Sequence, residues 1–223
     1  MSTGGIFTLL SKLRILLHRN LPGADAHILM APPARIQLFK SGSKPPENSR
    51  KAAVLIPLYF KDGELHTVFI KRPVYDGVHS GQIAFPGGKK EDFDKDYIDT
   101  AIREANEEIG IQPKDVYVLG ALSELYIPPS NFLIRPVVAY IAKRPDFVLQ
   151  EDEVEEIIEV PVSHFYPVIK KEFIEINPGY SAPFMAPCYK VKSIIIWGAT
   201  AMVISEFINI AKEINLDEIL NGR

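Results

Sequence analysis

Near the start of the chain, apolar residues recur at helical spacing: Ile6, Leu9, Leu10, Leu13 and Leu17, with Lys12, Arg14, His18 and Arg19 among or just after them. This predicts an amphipathic helix docked on a domain. The interspersed charges leave no clean apolar segment of the kind an export signal needs, and contact with a membrane surface is the lesser alternative. Leu21-Pro22-Gly23 and Ala31-Pro32-Pro33 predict irregular chain, and Gly42 to Arg50 reads as a polar linker. Residues 1–50 are thus expected to form an N-terminal helix and linker, and residues 51–223 the main domain with a C-terminal helix.

From Ala52 the pattern changes to β-rich runs. Ala52 to Phe60 and Leu65 to Lys71 predict two antiparallel strands, joined through Asp62-Gly63, a pair that tolerates positive φ. Arg72 to Gln82 predicts a loop, and Ile83 to Phe85 a strand end broken at Pro86-Gly87-Gly88. The helical period then returns. At 100° per residue, Ile98, Ile102, Ala105 and Ile109 share one narrow arc, predicted to face the core, and Glu104, Glu107 and Glu108 share another. Further strands are predicted at Val116 to Leu125, Phe132 to Ile141 and Glu156 to Val162, with a helical turn at Val162 to Tyr166. Weaker strands at Glu172 to Ile176 and Cys188 to Val191 stand around breaks at Pro178-Gly179 and Pro183 to Pro187. Ile194 to Ile214 predicts a mostly apolar helix in which Trp197, Met202 and Phe207 are core residues. Strands interleaved with two substantial helices imply an α/β sandwich with a mixed sheet.

Composition narrows the partners. A chain of 223 residues with 47% hydrophobic content suffices for one domain with additions at its ends. A net charge of −3 gives no general attraction to nucleic acid or to an anionic membrane, so a phosphate-bearing ligand must be held by local cations. The lone Cys188 excludes an intramolecular disulfide and suits a reducing cytoplasm. The apolar run Ile194 to Ile204 is too short to span a bilayer. The sequence leaves oligomeric state open, a homodimer included.

The three glutamates stand out. Glu104 with Glu107 and Glu104 with Glu108 are like-charge pairs that each destabilise an isolated helix by roughly 0.2–0.5 kcal/mol. Taken alone they are either a solvated acidic face or hard oxygen donors for a divalent cation. The acidic run Gln150 to Glu156 is similarly either a solvated loop or a source of a loop glutamate for an active site.

Gly88 followed by Arg103-Glu104-Ala105-Asn106-Glu107-Glu108-Ile109-Gly110-Ile111 resembles the Nudix box, G-x5-E-x7-R-E-U-x-E-E-x-G-U, where U is a bulky aliphatic residue. Two positions depart from it: Asp94 replaces the first Glu, and eight residues rather than seven separate it from Arg103. The resemblance implies an α/β/α sandwich with the box as a catalytic loop-helix-loop, and hydrolysis of nucleoside diphosphates with Mg²⁺ or Mn²⁺. It also implies metal ligation by Glu104, Glu108 and Glu107, with the Gly88 carbonyl as a further donor. Arg103 is expected to orient Glu107, four residues on. The general base is Glu107 or one of Glu151, Glu153 and Glu155. A non-catalytic binding module of the same fold would be expected to lack the box carboxylates, which are present.

The run Arg72, His79, Gly81, Gln82, Ala84 and Phe85 to Gly88 is similar to the motif that precedes the box in coenzyme A diphosphatases. Arg72, His79, Gly81 and Gln82 are therefore expected to bind substrate, a small nucleoside diphosphate resembling coenzyme A. Four of that motif's residues are replaced here, by Ile70, Pro73, Asp76 and Gly77, which keeps ADP-ribose or a nucleotide sugar as the alternative substrate.

Overall fold

In the computed structural model, which describes residues 3–75, 79–166, 172–177, 182–191 and 193–214, helix α1 (Thr3–Leu17) buries Leu9, Leu13 and Leu17 as its spacing predicts. Asp76, Gly77 and the Pro178-Gly179 break lie outside the described residues. Two short helices follow, α2 (Ala24–Ile28) and α3 (Pro33–Lys40), where the prolines had suggested irregular chain alone. Each proline break stands before a helix rather than within it. Pro33 occupies the first helical position, where a missing N–H leaves no hydrogen bond unmade.

Strands β1 (Arg50–Lys61) and β2 (Glu64–Lys71) form the expected hairpin, with Asp62 and Gly63 both at positive φ and Lys61 opposite Glu64. Strand β3 (Ile83–Ala84) pairs with β2. The glycines that read as a break form a strand of their own, β4 (Gly87–Lys89), antiparallel to β1. Helix α4 (Tyr97–Ile109) starts at Asp96, whose carboxylate accepts from the backbone N–H groups of Ile98 and Asp99. The single strand expected after it is two, β5 (Val116–Ala121) and β6 (Leu125–Ile127), both pairing with β7 (Phe132–Ile141). Then come β8 (Glu156–Pro161), a short 3₁₀ turn at Val162–Phe165, β9 (Glu172–Ile176), β10 (Phe184–Val191), β11 (Ile194–Trp197) and α5 (Gly198–Lys212).

Two further expectations need correction near the end of the chain. Ile194 to Trp197 is a strand and only the remainder is helix, because three consecutive β-branched residues find a partner in β10, with Val191 opposite Ile194 and Cys188 opposite Trp197. Strand β10 also runs through Pro187, which has Phe173 of β9 on one side and no β11 partner on the other, so its missing donor breaks no ladder there.

The larger sheet has the order β3-β2-β1-β7-β5, with β4 on β1, β6 on β7 and β8 on β2. Only β1 and β7 run parallel among its pairings, making the sheet mixed. One face packs Ala53, Leu55, Val137 and Ala139 against Ala101, Ala105 and Ile109 of α4. The other packs Ile56, Leu58 and Val138 in one cluster with α1 and α5. This is the expected α/β/α sandwich. Among the described residues, no helix is long and apolar enough to cross a membrane.

The buried arc of α4 is rotated from the one expected. Ala101, Ala105, Glu108 and Ile109 are buried, whereas Ile98 and Ile102 are only half-buried. With Thr100 also buried, the centre of the arc moves by about 60° on the helical wheel, away from Ile102 and toward Glu108. Ile109→Ala should therefore cost about 2–5 kcal/mol, and Ile102→Ala clearly less. Chemical denaturation of the two variants without metal tests this ranking.

Candidate active site

Local backbone geometry explains why β4 consists of glycines where it meets β1 and α4. Gly87 has φ 153°, and a Cβ there would lie 2.3 Å from the Ala53 carbonyl oxygen and 2.5 Å from the Val54 Cα. At Gly88 a Cβ would lie 2.3 Å from the Glu104 carboxylate. Glycine is needed at the first position for the backbone and at the second for the acid. The pair lets α4 press two of its glutamates onto the strand.

Glu108 is 1% exposed. Its carboxylate accepts from the Gly87 N–H at 2.7 Å and lies 3.8 Å from the Arg72 guanidinium, which itself donates to the Gly87 carbonyl at 3.1 Å. Burial pushes its pKa up to about 8, with Arg72 and the Gly87 N–H opposing the rise and Glu104 and Glu153 adding to it. Burial likewise raises Glu104, Arg103 opposes it, and Glu107 and Glu153 add to it. Glu107 is exposed and touches Arg103 rather than the cleft. The three box glutamates thus occupy three environments, not one face.

Arg103 is the organiser. Its guanidinium grips Asp94 with two bonds of 3.0 Å, reaches Glu104 and Glu107 at 2.8 Å each, and donates to the Lys89 carbonyl at 3.1 Å. Asp94 is buried, and these bonds, ahead of those from the Glu91 N–H and the Thr100 hydroxyl, hold its carboxyl well below the usual range against the cost of burial. The residue that departs from the box in identity and spacing therefore acts as the arginine's bidentate anchor. Sequence spacing showed the departure but not its partner.

Arg72, His79, Gln82, Gly87, Gly88, Glu104 and Glu108 all line one cleft of about 620 Å³. His79 Nδ1 sits 3.1 Å from the Gln82 side-chain oxygen, and burial lowers its pKa. Gly81 does not line the cleft; at positive φ, it turns the chain back, its N–H bonding to the Pro73 carbonyl. Of the three loop candidates for a base, Glu153 lines the cleft, Glu155 is drawn off by Lys71 at 2.5 Å, and Glu151 is exposed away from it. Lys89, Ser130, Asp152 and Thr200 also line it, together with the apolar side chains of Ile127, Phe132, Ile134, Ala199 and Val203. The hydrophobic pattern did not mark those apolar residues as cleft lining, because a side chain facing a cleft and one facing the core follow the same spacing.

The donor set suits a hard divalent cation. Glu104 and Glu108 present carboxyl oxygens to one cleft, and burial raises the pKa of both, so a divalent cation there would take the place of a proton. Among the described residues, no three acidic, imidazole or thiol groups converge closely enough to cage an ion unaided.

A family model described as NUDIX domain matches residues 49–177. The Nudix hydrolase NudL of Pectobacterium atrosepticum is 34% identical over 164 residues, covering 73% of this chain and 83% of that protein. NudL of Shigella flexneri is 32% identical over 179 residues, covering 78% and 89% respectively. Among solved structures, a MutT/nudix family protein from Enterococcus faecalis superposes with a TM-score of 0.51 at 14% identity, over 87% of this chain and 76% of that one. RenU, a Nudix hydrolase from M. smegmatis, gives 0.50 at 14% identity over 76% and 87%. At that identity the structural likeness speaks to fold alone.

Two outcomes follow from the geometry. Gly88→Ala should leave the fold near wild-type stability while displacing the Glu104 carboxylate and lowering metal affinity, whereas Gly87→Ala, set against backbone, should destabilise it by more than about 3 kcal/mol. Thermal melts and calorimetric Mg²⁺ titration separate the two. The second concerns pH. Because the folded-state pKa of Glu108, about 8, lies above its ordinary value, the metal-free folded state holds a proton that the unfolded chain releases, so the stability linked to it falls as pH rises through this interval. In EDTA, Glu108→Gln should therefore gain stability relative to wild type as pH is raised from about 5 to about 9, read by melting temperature at each pH.

Proposed function

The chain belongs to the Nudix hydrolase family, and on that premise we propose that it cleaves the diphosphate of coenzyme A or an acyl derivative, giving 3′,5′-ADP and 4′-phosphopantetheine or its acyl form. One observation carries the reading. A single cleft brings together Arg72, His79 and Gln82, which match the coenzyme A diphosphatase motif, the carboxyl groups of Glu104 and Glu108, and apolar side chains suited to a pantetheine arm.

Nudix hydrolases generally use divalent cations. Here Glu104 and Glu108 would hold Mg²⁺ or Mn²⁺, with the Gly88 carbonyl as a further donor, whereas Glu107 stands outside the cleft on Arg103 and is not counted among the ligands. When bound, such an ion supplies neutralisation of charge on the diphosphate oxygens and acidification of water. The nucleophile is water, so no side chain forms a bond to phosphorus. Glu153 is assigned as general base, since it lines the cleft while Arg103 occupies Glu107 and Lys71 occupies Glu155. Arg103 is a positioning residue, fixing Glu104 against Asp94. Arg72 is assigned to the diphosphate rather than to a distant phosphate, because its guanidinium lies beside Glu108.

The alternative, ADP-ribose or another nucleotide-linked diphosphate, rests on the motif's replaced positions. One of them weighs less than it did: Ile70 is fully buried in β2, where a substitution alters packing and not a substrate contact.

Hydrolysis of coenzyme A, dephospho-coenzyme A and ADP-ribose with Mg²⁺, products identified by mass, tests the proposal. Glu104→Gln and Glu108→Gln should each lower turnover at least about 10²-fold. Glu153→Gln should fall further than Glu151→Gln or Glu155→Gln, and Arg72→Ala should lower kcat/KM for coenzyme A and its dephospho form alike. If dephospho-coenzyme A is cleaved as well as coenzyme A and ADP-ribose better than either, the coenzyme A assignment fails and the family chemistry stands.

A further inference from the structure

The side of α1 turned away from the core is not an ordinary solvated face. Phe7 is 73% exposed and Ile15 54%, among the most exposed large apolar side chains of the described residues. On the helical wheel the two lie about 80° apart, with Gly4, Ser11 and His18 between them and Arg14 and Lys12 at the two margins. The centre of that arc is opposite the buried row Leu9, Leu13 and Leu17. From Thr3 to Asn20 there is no Asp or Glu, although the whole chain carries −3. Among the described residues, neither Lys12, Arg14 nor Arg19 lies within ion-pair distance of a carboxylate.

We infer that this outward face of α1 docks the protein reversibly on an anionic lipid surface. Packing of α1 against β5 and α5 holds the face rigidly, so Phe7 and Ile15 are displayed without an ordering cost. Their side chains enter the boundary between headgroups and acyl chains, while Lys12 and Arg14 reach sideways to phosphate and carboxylate groups, as long cationic side chains do at such boundaries. Charge complementarity selects the occupant: a helix face whose own charges are all cationic, with Glu213 near Arg19 beyond its end, has no match in the same face of a second copy, which would bring like charges together. Two apolar anchors and a few cations give binding that is weak, reversible and sensitive to salt.

Flotation of the full chain with phosphatidylcholine vesicles, with and without phosphatidylserine, tests the inference. Wild type should float with the serine-containing vesicles at low salt, be released by high salt, and stay behind with phosphatidylcholine alone. Lys12→Gln with Arg14→Gln should weaken partitioning about 25-fold, roughly five-fold per cation. Phe7→Ser with Ile15→Ser should weaken it at least about 10-fold. Both double variants alter exposed residues outside the cleft, so melting temperature and hydrolysis should remain those of wild type. Equal retention on both vesicle types, no retention on either, or variants that float like wild type would each overturn the inference. So would sedimentation showing a lipid-free dimer that Phe7→Ser with Ile15→Ser dissociates, which would assign the face to a second copy.

Discussion

Burial of the Glu108 carboxylate is the constraint around which the cleft is built. A carboxylate taken out of water must be compensated, and among the described residues the Gly87 N–H and the Arg72 guanidinium at 3.8 Å do so. The first contact requires β4 to hug β1 and α4 to hug β4. Only glycine allows the first approach, and only a missing side chain at Gly88 leaves room for Glu104. On the proposed function, incomplete compensation is what leaves this acid open to a cation. A fully neutralised acid would have nothing left to offer a cation.

Arg103 solves the complementary problem. Four of its contacts are acceptors on three different segments: Asp94 in the loop before α4, Glu104 and Glu107 on α4, and the Lys89 carbonyl in β4. Its five donors in a fixed plane make this possible, where a lysine would offer one flexible point charge. The clamp absorbs the extra loop residue, because an anchor needs only the right end point. A shorter acid one place further away therefore reaches the same guanidinium.

A second buried acid ties the N-terminal segment to the far wall of the cleft. Glu206 in α5 meets His27 of α2 at 2.9 Å and accepts from the backbone N–H groups of Gly23 and Ser123. Burial would raise its pKa, but these partners prevail and hold it below the ordinary range. Helix α5 carries Ala199, Thr200 and Val203 into the cleft, and Thr200 bonds to the Ile83 carbonyl of β3. The N-terminal helices, the apolar wall and the strand leading into the glycine pair are thus one packed body.

Much of this was written locally. Alternation and turn chemistry determined the β1–β2 hairpin, helical spacing determined α1 and α4, and the fixed residues from Arg103 to Ile111 pointed to the family and to Glu104 and Glu108. These signals are legible because each depends on neighbours within a few residues. What decided the rest was contact between distant segments. Strand β4 exists because β1 offers an edge to it, Ile194 to Trp197 is extended because β10 is there to pair, and α4 is turned on its axis so as to bury Glu108 rather than Ile102. Spacing alone left Glu151, Glu153 and Glu155 equivalent, as alternate residues of one acidic run. Only the fold separates them, since Lys71 draws Glu155 aside while Glu153 faces the box, and a charge is defined chemically by what stands across from it in space.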